Sequence, residues 1–262
     1  MDGGWNMLGA IAGDTFGAAY EGGQQKREDF ELFAKHRFFT DDSVLTIATA
    51  DALMGDGDYA AAYRRWGGRH PDRGYGGWFR EWLFNPELGP YNSFGNGSAM
   101  RVSPIGWVFD TIDEVLAEAE RSAAVTHNHP EGIKGAQAAA VAVHLARTGA
   151  TKAEIRREIS HRFDYDLDRT VATIRPGYFF DVTCQGSVPE ALIAFLDADD
   201  FEHTLRLAIS LGGDADTQGA IAGGVGEAFF GGLPEHIETE VRAVLEPDLL
   251  EVVDRFGAQI DG

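Results

Sequence analysis

Apolar residues recur at helical spacing through most of the chain. From Asp41 onward, Val44, Leu45, Ile47, Ala48 and Leu53 trace a single face. In 111–124 a regular apolar stripe follows Thr111, with Glu114 three residues on, the signature of a capping box. Pro130 opens another helical stretch that runs through GAQAAAVAVHLA to a break at Gly149. Further helices are predicted over 151–162, 188–197, 200–211, 216–229 and 234–256, the last interrupted near Pro247. Period-2 alternation is nearly absent. The pattern therefore predicts an all-α protein, one domain over residues 1–262, with no internal repeat and no low-complexity tail.

Two stretches depart from plain amphipathic patterning. Glycine numbers 33, and much of it sits beside alanine and apolar residues, as in GAIAGDTFGAAYEG (9–22) and GAIAGGVGEAFFGG (219–232). Small residues at helical spacing let two helix backbones approach closely, although each glycine weakens its own helix by up to about 1 kcal/mol. The shared GAIAG thus marks either a pair of small-faced helices or a coincidence of composition. The second stretch, 66–98, is rich in Gly, Pro and aromatics and reads as a long irregular loop, a common setting for a rim or lid. Trp66, Trp78 and Trp82 within it suit packing under such a loop equally well.

Charge narrows the choice of partner. Against 22 Lys plus Arg (four of them Lys) stand 42 Asp plus Glu, a formal net charge of −20. An apolar share of 44% with 11% aromatics separates the 262 residues from a disordered acidic chain. The acidity opposes generic nucleic-acid or anionic-membrane binding, yet leaves room for one small anion in a locally favourable pocket. The lone Cys184 can form neither an intrachain disulfide nor a CxxC metal site and reads as a buried small residue. With no signal-peptide pattern and no apolar run of about 18 residues, a cytoplasmic location and a compact monomer are the expectations.

Four constellations could carry chemistry. Thr40-Asp41-Asp42-Ser43 and Gly212-Gly213-Asp214-Ala215-Asp216-Thr217 each place two carboxylates and a hydroxyl at a predicted helix start. All are hard oxygen donors suited to Mg²⁺, Mn²⁺ or Ca²⁺. Each cluster alone could equally be an N-cap. Brought together, four carboxylates would repel one another severely, and two metal ions would relieve that repulsion; spacing does not say whether they meet. Residues 93–101 (SFGNGSAMR) suggest backbone N–H groups presented to phosphate, with Arg101 either an anion clamp or a buried structural partner. Thr126-His127-Asn128-His129 lacks the further ligands of a closed zinc site, so its histidines read as substrate contacts or helix caps. His144 reads as packing or surface.

At these places the sequence resembles the ADP-ribosylglycohydrolase family, which includes dinitrogenase reductase-activating glycohydrolase and the eukaryotic ADP-ribosylhydrolases. The resemblance runs from GAIAGDTFGAAYEG through TDDS, GNGSAMR and THNHPEG to SLGGDADTQGAIAGGVGEAFFG. It implies a compact orthogonal multi-helix bundle with two Mg²⁺ ions (Mn²⁺ an alternative) at the base of an ADP-ribose cleft. Thr40, Asp41 and Asp42 match ligands of one metal. Asp214, Asp216 and Thr217 match those on the other side, with Asp216 bridging. Glu21 matches a glutamate that contacts a metal or helps activate water, with Asp41 and Asp42 beside it as catalytic candidates. Asp41, Gly95, Asn96, Gly97, Ser98, Ala99, Met100, Arg101 and His127 match the surface that holds ribose and pyrophosphate. Ser43 stands where the family usually has threonine, and the chain is shorter than many relatives.

The resemblance implies hydrolysis at the anomeric carbon of ADP-ribose in a modified residue or small conjugate. Metal-bound ribose would be positioned for attack, and nearby carboxylates would favour oxocarbenium character. Either Glu21 or a metal-binding aspartate could take the proton from water. Two other readings stay open on sequence: a metal-dependent phosphatase or pyrophosphatase, and a non-catalytic, crystallin-like ADP-ribose binder.

Overall fold

A computed structural model describes residues 7–23, 25–33 and 36–260. Helices α1 (Leu8–Gly17), α2 (Asp41–Met54), α3 (Tyr59–Arg69) and α4 (Gly77–Phe84) lead to two short helices, α5 (Gly97–Met100) and α6 (Ser103–Val108). Then come α7 (Ile112–Ala124), α8 (Pro130–Arg147), α9 (Lys152–Phe163), α10 (Val171–Ile174) and α11 (Cys184–Asp197). The chain closes with α12 (Phe201–Ile209), α13 (Ala215–Phe230), α14 (Glu235–Arg242) and α15 (Pro247–Ile260). Among the described residues there is no strand, only an isolated bridge between Gly95 and Thr183. The all-α class is as expected.

The centre of the fold is the α1–α13 pair. Every residue of α1 is buried, as is all of α13 up to Ala228, so neither helix has a polar face. Gly9, Gly13 and Gly17, four apart on α1, meet Gly223, Gly219 and Ala215 of α13. A Cβ on Gly13 would lie 1.9 Å from the Gly219 carbonyl oxygen, and one on Gly219 would lie 2.4 Å from that of Gly13. The two GAIAG segments are therefore a matched pair whose backbones touch. Glu227, buried on α13, accepts a hydrogen bond at 2.7 Å from the Gly9 N–H, one of the unpaired donors at the start of α1.

Outer helices carry the signals legible in the sequence. Thr111 and Glu114 close a capping box on α7, and Thr151 and Glu154 do the same on α9. Gly149 takes φ +85° just past α8, and Pro247 separates α14 from α15. Two boundaries differ from expectation. Helix α11 begins at Cys184, a turn earlier than 188, because the Thr183 side chain caps it; Pro189 then sits inside the helix near its start. The 66–98 stretch is not one loop: α3 extends through Trp66 to Arg69 and α4 occupies Gly77–Phe84. Trp66 and Trp82 are core residues, whereas Trp78 is 72% exposed. Cys184 is buried, and His144 is buried with its Nδ1 3.1 Å from the Phe109 carbonyl.

Candidate functional site

Helix ends bring the acidic clusters together. Thr40 caps α2, accepting from the Asp42 N–H at 3.2 Å, which puts Asp41 and Asp42 in the first helical turn. Gly212, at φ +67°, makes the turn that delivers Asp214 to the start of α13, with Asp216 in its first turn. The loop after α1 returns Glu21 to the same place, where the neighbouring Gly22 N–H donates to the Gly213 carbonyl at 3.3 Å. Glu21, Thr40, Asp41, Asp42, Asp214, Asp216 and Thr217 all line one cleft of about 390 Å³.

Mutual proximity and burial set the electrostatics. Burial first, then repulsion from Asp14, raises the Asp41 carboxyl to about 8 and holds Asp42 well above the usual carboxylate range. Asp216 is pushed well up by burial, then by Asp42 and Asp214, so the two clusters act on each other directly. Glu21 is raised by desolvation, then by Asp214 and Asp14. Asp42 Oδ1 is buried with no hydrogen-bond partner. One carboxylate oxygen each from Glu21, Asp214 and Asp216 lies within 4.8 Å of the other two. A set of crowded, desolvated carboxylates with an orphaned oxygen suits a divalent cation, whose charge would offset the repulsion.

Asp14, beneath this floor, has no counterpart among the sequence-derived candidates. Fully buried on α1, its carboxylate accepts from the Thr40 N–H at 2.9 Å, the Thr40 hydroxyl at 2.8 Å and the Ser43 N–H at 3.0 Å, and also from the Ser43 hydroxyl. It thus fixes the first turn of α2 from below. Ser43 supplies the same hydroxyl as a threonine here. The only signal in the sequence was a solitary carboxylate in an otherwise small and apolar run.

The 93–101 segment forms one wall. Asn96 donates through Nδ2 to Asp214 Oδ2 at 2.7 Å. Gly95, Asn96, Gly97, Met100 and Arg101 line the cleft. Ser98 and Ala99 do not: the Ser98 hydroxyl turns inward to the Gly132 carbonyl at 2.7 Å, and Ala99 is core. The expected row of free N–H donors is shorter than supposed, since the Gly95 N–H goes to Ser93 Oγ and the Asn96 N–H to the Val182 carbonyl. Arg101 is fully buried yet lines the cleft, with Nε and Nη1 lacking a hydrogen-bond partner. Its Nη2 donates to the Ser122 carbonyl at 3.0 Å and to Thr126 Oγ1 at 3.1 Å, and its guanidinium lies 4.4 Å from the Tyr63 ring centroid.

That arrangement fixes His127. Thr126 Oγ1 accepts from Arg101 and lies 2.7 Å from His127 Nδ1, so this nitrogen is engaged within the protein and Nε2 is left for the cleft. Burial, reinforced by the Arg101 cation, holds the imidazole pKa well below its ordinary value, so the ring is neutral. Gly95 and Gly97 border Nε2: a Cβ on Gly97 would lie 3.3 Å from it. His127 thus presents Nε2 of a neutral ring at the cleft wall.

Trp78 forms part of the rim, in keeping with the aromatic-rich stretch that carries it, together with Gly74, Gly76 and Tyr91. Phe180 and Val182, which also line the cleft, have no signal in the sequence, because 178–182 has neither periodicity nor a charge cluster. Both residues are at least half exposed.

Fold and cleft together define an all-α protein with a carboxylate-floored pocket of small-ligand size. The family model for ADP-ribosylglycohydrolase matches residues 6–261, and the chain belongs to that family. ADP-ribosylhydrolase ARH3 of Homo sapiens is 26% identical over 328 aligned positions, covering 93% of this chain and 90% of that protein. ADP-ribosylarginine hydrolase Tri1 of Pseudomonas putida is 28% identical over 273 positions, covering 87% and 71% respectively. A solved structure titled ADP-ribosylglycohydrolase-related protein complex superposes with a TM-score of 0.73 at 27% identity, covering 97% of this chain and 95% of the other. Among the described residues no helix is long and apolar enough to cross a membrane.

Proposed function

We propose that this protein is a Mg²⁺-dependent ADP-ribosylhydrolase that cleaves the bond between the anomeric carbon of ADP-ribose and an acceptor in a modified residue or small conjugate. The observation that carries the reading is the convergence of Glu21, Asp41, Asp42, Asp214 and Asp216 on one cleft, with Asp42 Oδ1 unpartnered. Thr40, Asp41 and Asp42 would hold one cation and Asp214, Asp216 and Thr217 the other, with Asp216 shared. Two bound Mg²⁺ (or Mn²⁺) would supply charge neutralisation and orientation of the ribose hydroxyls.

The chain's own groups do the rest. His127 Nε2 and the wall of Gly95, Asn96, Gly97 and Met100 hold ribose and pyrophosphate. As the bond to the acceptor breaks, positive charge grows on the anomeric carbon, and the carboxylate floor stabilises it. Glu21, exposed at the cleft mouth with a raised pKa, takes the proton of the attacking water. Glu21 then passes that proton to the departing acceptor, so free ADP-ribose and the protonated acceptor result. The protein works as a single cytoplasmic domain over residues 1–262 and as a monomer.

The test is a product assay across arginine-, serine-, O-acetyl- and base-linked ADP-ribose, with and without Mg²⁺. Release of intact ADP-ribose, abolished by chelation and reduced at least about a thousandfold by Asp216→Asn, is the expected result. Inorganic phosphate or AMP as product would replace this reading with a phosphatase or pyrophosphatase. ADP-ribose binding without turnover of any linkage would leave a non-catalytic binder.

A further inference from the structure

We propose that His70, Glu246 and Asp248 form a second cation site, outside the cleft, for an imidazole-preferring divalent metal of the Zn²⁺ class. One ligand atom from each residue lies within 4.8 Å of the other two. His70 ends α3, and the two carboxylates flank Pro247 at the start of α15, so residues far apart in sequence supply the set.

The histidine points to a ligand independently of the acids. Its side chain is only 4% exposed, yet Nε2 has no hydrogen-bond partner. The ring cannot turn to find one, because it stacks on Trp66 with planes 5° apart and meets Phe39 edge-on. Nδ1 lies 3.6 Å from Glu246 Oε2 and Nε2 lies 3.5 Å from Asp248 Oδ2, both too long for good hydrogen bonds. One ion takes one ring nitrogen, so the unpartnered Nε2 would be the ligand, with Asp248 Oδ2 at the spacing of a neighbouring ligand and the Glu246 carboxylate drawn in from the Nδ1 side.

Both carboxylates are already oriented. The Arg73 guanidinium holds Glu246 Oε1, and the Leu249 N–H holds Asp248 Oδ1 at 3.0 Å, leaving in each case the other oxygen toward His70. Arg73 is itself fixed over the Phe39 ring, 3.7 Å from its centroid. Outer partners that aim each ligand are characteristic of a built metal site. Glu246 and Asp248 are roughly half exposed, which gives an ion a path in from solvent. One nitrogen and two carboxylate oxygens, with water completing the shell, select zinc-like ions, whereas the all-oxygen cleft suits Mg²⁺.

The test titrates ZnCl₂ into the full-length protein held at saturating Mg²⁺, following heat and the ¹⁵N resonances of His70. One zinc per chain should bind, shift the His70 signals and survive Asp216→Asn in the cleft. Asp248→Asn and Glu246→Gln, at half-exposed positions, should each weaken it by about tenfold or more; a thermal melt in zinc-free buffer verifies that both fold. Absence of zinc binding, zinc binding unaffected by either substitution, or zinc lost with Asp216→Asn alone would each overturn the proposal.

Discussion

The α1–α13 seam and the cleft rim lie at opposite extremes of how a protein can fix a position. Along the seam, the positions of Gly13 and Gly17 are set by backbone touching backbone, with no side chain that could adjust, and Gly9 meets the Gly223 backbone and the Glu227 side chain. Around the rim, Trp78 and Phe180 project into solvent, where a change of size meets little resistance. The seam leads directly to the carboxylates: Asp14 rides on α1, Glu21 comes just after it, and Asp216 opens α13. Rigidity is thus concentrated under the reacting atoms, and freedom is left where an acceptor would be recognised.

Gly13→Val should give the largest effect. Its side chain would have to occupy the Gly219 backbone, so a loss of about 3 kcal/mol or more in denaturant unfolding is expected. A loss below about 1 kcal/mol would show that the seam can open.

Next comes the dependence of stability on pH without metal. Asp41 titrates at about 8 in the folded protein against 3.8 for the free group, so the folded state binds more protons between those values. Stability should therefore fall as pH rises toward 8, with a slope of up to about 1.4 kcal/mol per unit for each such group. His127, whose folded pKa is depressed, acts in the opposite direction only below about 6.5. The window from pH 6.5 to 8 isolates the carboxylates. Thermal melts there should fall with pH in EDTA and become flatter in Mg²⁺; identical slopes in both would mean that the cleft holds no cation.

Thr126→Val removes the hydroxyl that engages His127 Nδ1. We expect kcat/KM to drop about tenfold to a hundredfold, with ¹⁵N shifts showing the ring proton redistributed between the two nitrogens. Unchanged shifts would show that the hydroxyl does not hold the tautomer. Smallest of all, Trp78→Ala should alter unfolding free energy by less than about 0.5 kcal/mol while changing KM between linkages; a large stability loss would make Trp78 part of the core after all.

The same contrast governs how much of the molecule was legible in sequence. TDDS and GGDADT stood out because helix starts concentrate acids and hydroxyls in a few consecutive residues. The repeated GAIAG suggested the seam because close approach demands small residues at fixed spacing. Asp14 did not stand out: a single carboxylate inside a helix leaves no periodic trace, and its role depends on Thr40 and Ser43 across a loop. Helix α4 was hidden by Gly76, Gly77 and Pro86, whose turn character masks an eight-residue aromatic helix. His70 with Glu246 and Asp248 is a purely tertiary meeting.

Gly17 carries the consequence of building a site on touching backbones. A Cβ there would lie 2.3 Å from the Ala215 carbonyl oxygen and 2.6 Å from the Asp216 Cα. The residue with nothing to offer a ligand therefore sets where a principal carboxylate stands. In a saturation mutagenesis map scored on turnover, Gly17 would be as intolerant as the acids themselves, and that map alone would count it among the reacting groups. A parallel map scored on abundance would tell the two apart, since the acids contribute charge and Gly17 contributes the space for it.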